Sequence, residues 1–122
     1  MEWTEARKHS FIVSILRAGT RRWPPKYECL NAAKTKKKTN KLTGRMAQHY
    51  RCAGCRKEFP ATGVSVDHIK PVVGPEGFIS WDLFIANMFC TGDGLQVLCT
   101  ACHKKKTVKE KGERDKNRSK RT

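Results

Sequence analysis

Acidic side chains are scarce in this chain. Only 11 Asp and Glu stand against 26 Lys and Arg, for a net charge of +15. A run of roughly 18 apolar residues is missing altogether, which excludes a membrane-spanning helix. The opening MEWTEARKHS lacks the apolar centre of a signal peptide, so a cytoplasmic location is expected. No internal repeat recurs, which argues against an array of repeated units. Apolar residues are also few, at 38% of 122 positions. That length suits one small domain with an appended arm, whose modest core would benefit from a staple.

The charge that is present is segregated. Residues 1–51 hold 13 basic and 3 acidic side chains, residues 52–98 hold 3 and 5, and residues 99–122 hold 10 and 3. Basic flanks suit phosphate binding, because each neutralised phosphate releases counterions. A slightly acidic middle suits a divalent cation. A surface charged only for solubility has no reason to sort its signs this way.

Periodicity sketches the elements. Phe11, Ile12, Ile15 and Leu16 mark a helix over 2–18, with Gly19 as its stop. A second helix starts near Pro24-Pro25, and the two are expected to pair antiparallel with Trp23 at their junction. The segment KTKKKTNKLTGR has no apolar anchor and reads as a linker or a loop laid on phosphates. Val64 and Val66 alternate with polar residues into a strand that reaches Asp67. Trp81, Phe84, Ile85 and Met88 share a helix face behind a Ser80 cap. LQVLC is a second short strand, and Thr100 is placed to cap a final helix through ACHKKKTVKEKGE.

Six cysteines in a reducing compartment point to metal sites before disulfides. Cys52-Ala-Gly-Cys55 and Cys99-Thr-Ala-Cys102 together supply four thiolates, enough for a tetrahedral structural Zn²⁺. Cys29 and Cys90 fall outside the pattern and read as packing residues. His9 reads as surface, and His49 as packing or surface before a spare zinc ligand.

The insert between the two knuckles contains Asp67-His68, and the second knuckle runs directly into His103. A carboxylate and an imidazole are acceptable ligands for one divalent cation. His68 then remains beside a ligand without being needed as one. A neutral imidazole in that position can take a proton from water near pH 7.

In order, VDHIKPV, GLQ, CTACH and KKKT resemble the HNH endonucleases, also called His-Me finger or ββα-metal nucleases, over about residues 50–110. The whole chain is similar to the small freestanding HNH endonucleases encoded by bacteriophages, whose setting would be the host bacterial cytoplasm. The resemblance implies an α+β fold: a ββα-metal nuclease core inserted in a four-cysteine zinc-ribbon-like site, with an N-terminal helical arm. It implies His68 as general base and Asp67 and His103 as ligands of one catalytic ion, with Lys106, one turn beyond His103, either a phosphate contact or part of a solvated helix face. With two protein ligands, Mg²⁺ or Mn²⁺ is the expected ion. One departure stands out. The family places Asn before Leu-Gln to brace the loop, and this chain has Gly94, with Asp93 and Asn87 as the candidates to replace it.

The expected organisation is a basic helical DNA-binding arm over 1–45, a zinc-stabilised nuclease domain over 46–112 and a basic flexible tail over 113–122. Arg21, Arg22, Lys36, Lys37, Lys38, Lys41 and Arg45 are the arm's expected contacts to double-stranded DNA, and a monomer is the expected state. The reading is metal-dependent hydrolysis of DNA phosphodiester bonds. The alternative is a non-catalytic zinc-ribbon DNA-binding regulator, which has no reason to arrange Asp67, His68 and His103.

Overall fold

In the computed structural model, which describes residues 3–121 and side chains as far as residue 117, the chain opens on α1 (Glu5–Gly19). The Thr4 side chain accepts the Arg7 N–H at 3.2 Å and starts this helix. Glu5 in the first turn and Arg17 in the last both match the helix dipole. A 3-10 turn, Thr20–Arg22, leads to α2 (Pro24–Ala32), whose prolines occupy the first turn, where no N–H partner is lost.

Two antiparallel sheets follow. The first has the order β1 (Lys34–Thr39), β2 (Met46–Arg51) and β3 (Glu58–Pro60). The second pairs β4 (Val64–His68) with β5 (Leu95–Cys99), setting Asp67 opposite Gln96 and His68 opposite Leu95. Between them runs α3 (Trp81–Met88), capped by Ser80 accepting the Leu83 N–H at 3.2 Å. α4 (Thr100–Arg121) leaves β5 and packs back against β4 and β5. No helix among the described residues is long and apolar enough to cross a membrane.

The linker expected over residues 34–45 is instead half of a hairpin. The Asn40 side chain accepts the Leu42 N–H at 3.0 Å, and its carbonyl accepts the Gly44 N–H at 2.7 Å. Gly44 takes φ = 74°, a conformation glycine adopts without a Cβ clash. The turn folds Lys34–Thr39 onto Met46–Arg51, and cross-strand pairing makes a strand of an all-polar segment. The boundary expected at residues 45/46 therefore falls inside a hairpin, and Lys36, Lys37 and Lys38 ride on a strand rather than a helical arm.

Other expectations shift too. α2 lies chiefly against β5 and β4 rather than forming a simple pair with α1. Trp23 does sit at the junction: its indole N–H donates to the Cys90 carbonyl at 2.6 Å, and its ring meets Phe89 edge-on at 5.5 Å. Half of the α1 stripe stays in solvent, with Phe11 63% and Ile15 53% exposed. His9, expected on the open surface, is half-buried against the rings of Phe78 and Trp81, at 4.4 and 4.7 Å. Residues 113–121, expected to fray, continue α4, in keeping with the helix propensity of Lys, Arg and Glu.

β5 is the centre of the core. Leu95, Val97, Leu98 and Cys99 are all buried, joined by Phe84 and Met88 of α3 and by Tyr50 and Cys52. This strand delivers the chain from one candidate site to the other.

Candidate functional site

The first site is the cysteine cluster. Cys52 follows β2, Cys55 follows it in a tight turn, Cys99 ends β5 and Cys102 lies in the first turn of α4. Their four sulfurs all lie within 4.8 Å of one another, and Cys55 Sγ and Cys99 Sγ are 3.9 Å apart. A tetrahedral zinc with bonds of about 2.3 Å needs sulfurs about 3.8 Å apart, so the residues fit the ion. Backbone N–H groups already point at the sulfurs. Gly54 and Cys99 donate to Cys52 Sγ, both at 3.3 Å, and Cys102 donates to Cys99 Sγ at 3.5 Å. Cys99, not Thr100, thus caps α4, and one sulfur both starts the helix and joins the cluster.

The protonation of the cluster follows from these contacts. Burial pushes the Cys52 thiol up, but N–H donation from Cys99, Cys55 and Gly54 outweighs it and brings the pKa down to about 6. Cys102 goes the other way, to about 12, because hydrogen bonds to Cys99 and Cys52 hold its proton, with burial adding to the effect. Cys29, Cys90 and His49 stand outside the cluster. His49 is buried and donates from Nδ1 to the Ala47 carbonyl at 2.9 Å, the packing role expected of it.

The second site lies where β4 faces α4. Asp67 Oδ1 is 3.5 Å from His103 Nε2, and Asp67 Oδ2 is 3.0 Å from Lys106 Nζ. Lys106 also donates to the His68 carbonyl at 2.8 Å and pairs with Glu110 one turn along. Burial works against the ammonium, but hydrogen bonds to Glu110 and Asp67 carry its pKa above the ordinary lysine value. The expected phosphate contact is therefore turned inward, holding one Asp67 oxygen while the other faces His103.

His68 points elsewhere. As strand neighbours, Asp67 and His68 leave opposite faces. Asp67 meets α4, and His68 Nε2 meets the Met88 carbonyl at the end of α3, at 2.7 Å. A carbonyl only accepts, so Nε2 carries a proton and Nδ1 is the ring nitrogen left without this partner. A cleft of about 170 Å³ is nevertheless lined by both Asp67 and His68.

Gly94 has a physical reason. A Cβ there would sit 2.8 Å from Cys90 Sγ, so any larger residue requires Cys90 to shift. The Gly94 carbonyl accepts the Ile69 N–H at 2.9 Å, and this backbone bond ties β5's entry to the exit of β4. Asn87 donates to the Val72 carbonyl at 3.2 Å, fastening α3 to the same loop, whereas Asp93 makes no such tie among the described residues. Gly94→Asn is expected to lower the melting temperature measurably, because Cys90 must move; the double change Gly94→Asn with Cys90→Ala is expected to recover most of the loss.

The expected DNA contacts are spread along one end of the chain. Arg21 and Arg22 lie on the 3-10 turn, Lys36, Lys37 and Lys38 on β1, and Lys41 and Arg45 on the hairpin turn, all exposed. Lys38 is partnered by Glu58 of β3, which also holds Arg51 at 3.3 Å. Sequence reasoning missed Arg17, Glu110, Arg114 and the Met88 carbonyl, all of which reach the second site. A main-chain acceptor leaves no trace in a sequence. The i, i+4 spacing of Lys106, Glu110 and Arg114 on α4 was the one available signal.

No family model and no solved structure matches the chain. A stretch of 49 residues, 40% of this chain, is 45% identical to the DNA annealing helicase and endonuclease ZRANB3 of Homo sapiens. That stretch spans 4% of the human protein's length. The likeness connects the chain to a DNA-processing protein, and the cysteine cluster is positioned to hold a metal ion.

Proposed function

We propose that this chain is a metal-dependent DNA endonuclease of the HNH type, in which β4, β5 and α4 form the ββα-metal unit and the four cysteines hold a structural zinc. The observation that carries the reading is the approach of Asp67 Oδ1 to His103 Nε2, at 3.5 Å, beside a His68 whose ring is held by the Met88 carbonyl. Asp67 and His103 are the residues that would hold one divalent ion there. When bound, Mg²⁺ or Mn²⁺ supplies positive charge to the scissile phosphate and the departing 3′ oxygen.

The chain's own groups do the rest. His68 Nδ1, with its lone pair free, takes a proton from water as the water oxygen bonds to phosphorus. The bond from phosphorus to the 3′ oxygen breaks, and that oxygen takes a proton from solvent. The products are a 5′-phosphate and a 3′-hydroxyl. Lys106 fixes Asp67 and the His68 backbone together, so base and metal ligand keep their separation. The exposed cations from Arg21 to Arg45 extend the DNA footprint along the hairpin and the 3-10 turn.

A plasmid-nicking assay tests the reading. Conversion of supercoiled to nicked or linear DNA is expected with Mg²⁺ or Mn²⁺, and none in EDTA. DNA binding without cleavage under every ion would replace the nuclease with a zinc-ribbon DNA-binding regulator.

A further inference from the structure

Two arginines from opposite ends of the chain line the cleft that holds His68. The cleft that holds Asp67, His68 and Lys106 is also lined by Arg17, in the last turn of α1, and Arg114, in the middle of α4. Lys106 has its donors directed at Asp67, Glu110 and the His68 carbonyl. Arg17 and Arg114 differ from it: neither has a hydrogen-bonded or ion-paired partner among the described residues. Both are exposed, so their guanidinium groups are free to take an anion that enters the cleft beside His68. The planar fork of arginine matches the paired oxygens of a phosphate better than an ammonium does.

The surroundings extend the argument. A second cleft, of about 470 Å³, shares Arg17, Val73 and Arg114 with the first and continues along α1 past Ser10 and Ser14 to His9. The path is therefore open beyond a single phosphate, and hydroxyls line it.

We propose that Arg17 and Arg114 clamp the non-bridging oxygens of the DNA phosphodiester presented to His68, with the strand continuing along α1. α1 then belongs to the site itself, and the chain's N-terminal segment does more than widen the footprint. The identity of the reacting strand rests on the nuclease reading above; the phosphate clamp has its own readout.

The test uses the full chain with Arg17→Gln, Arg114→Gln and the double variant, each checked for fold by circular dichroism. Binding of a short DNA duplex is measured across a NaCl series in EDTA, and cleavage separately with Mn²⁺. The double variant is expected to flatten the slope of log K against log salt by about 0.9, for the one phosphate the pair neutralises. Its cleavage rate is expected to fall about a hundredfold. Lysine at both positions is expected to keep the slope but not the rate, and it serves in place of the glutamine pair if that pair does not fold. Lys109→Gln, exposed on α4 and lining neither cleft, is expected to leave the cleavage rate unchanged. A folded double variant with wild-type slope and wild-type rate overturns the clamp. A flattened slope in a protein that cuts no DNA upholds the clamp and overturns the nuclease reading instead.

Discussion

His68→Ala is expected to slow DNA hydrolysis by about a thousandfold while leaving fold and DNA affinity close to wild type. The expectation comes from what the ring touches. Its Nε2–H goes to the Met88 carbonyl at 2.7 Å, so Nδ1 is the only basic atom it can offer to water. Truncation removes that atom and leaves Asp67, His103 and Lys106 where they are, since those three are joined to each other and not to the imidazole. The structural cost is one hydrogen bond, worth about 1 kcal/mol net, against a total stability on the order of 5–15 kcal/mol. Half-buried His68 also leaves a gap that added imidazole can enter, so partial rescue by imidazole is expected for the alanine variant. Melting temperature and duplex affinity are the controls. Nicking at the wild-type rate by a folded His68→Ala protein would remove His68 from the base role, and with it the arrangement of base and metal on opposite faces of β4.

How much of this was legible in the sequence differs from element to element, for physical reasons. Val64 and Val66, and the Ser80 cap before Trp81, are local signals, and β4 and α3 appear where those signals put them. The paired Cys-x-x-Cys spacings brought four sulfurs together across 43 intervening residues, because each knuckle is itself a local turn. β1 was illegible by periodicity: KTKKKT has no apolar face, and only the Asn40 and Gly44 turn with its partner strand makes it a strand. The orientation of His68 was hidden for another reason. Its partner is a main-chain carbonyl 20 residues away, and every residue type carries one. Arg17 and Arg114 are separated by nearly the whole chain, so their sharing of one cleft depends on the tertiary fold. Lys106 was hidden in a different way. Its spacing from His103 placed it one turn along the same helix face, but spacing left open phosphate or solvent, and neither reading named the carboxylates of Asp67 and Glu110 that it meets.

Cys52→Ser is expected to lose zinc and stability together, in contrast to His68→Ala, which loses neither. Cys52 has no exposed surface and packs with Leu98 and Cys99, with Phe59 and Cys102 against them. Three of the four clustered cysteines, Cys52, Cys99 and Cys102, thus belong to this part of the apolar core. Structural zinc contributes roughly 10–16 kcal/mol in small zinc-binding peptides at neutral pH, comparable to the whole stability of a small domain. A serine hydroxyl is a poor replacement for thiolate, so bound zinc is expected to fall from about one per chain to near zero. A drop in melting temperature of more than about 10 °C is expected with it. The sulfurs also set a pH dependence. In the metal-free chain Cys52 titrates near 6, below an ordinary unfolded thiol, so its contribution is full above the unfolded value and is lost as pH falls through about 6. Cys102, held protonated up to about 12, must give up its proton when zinc arrives. Zinc uptake at pH 7 is thus expected to release at least that proton into weakly buffered solution. Unchanged zinc stoichiometry in Cys52→Ser would rule out the four-cysteine site, while zinc loss with an unchanged melting temperature would separate the ion from the core it is argued to complete.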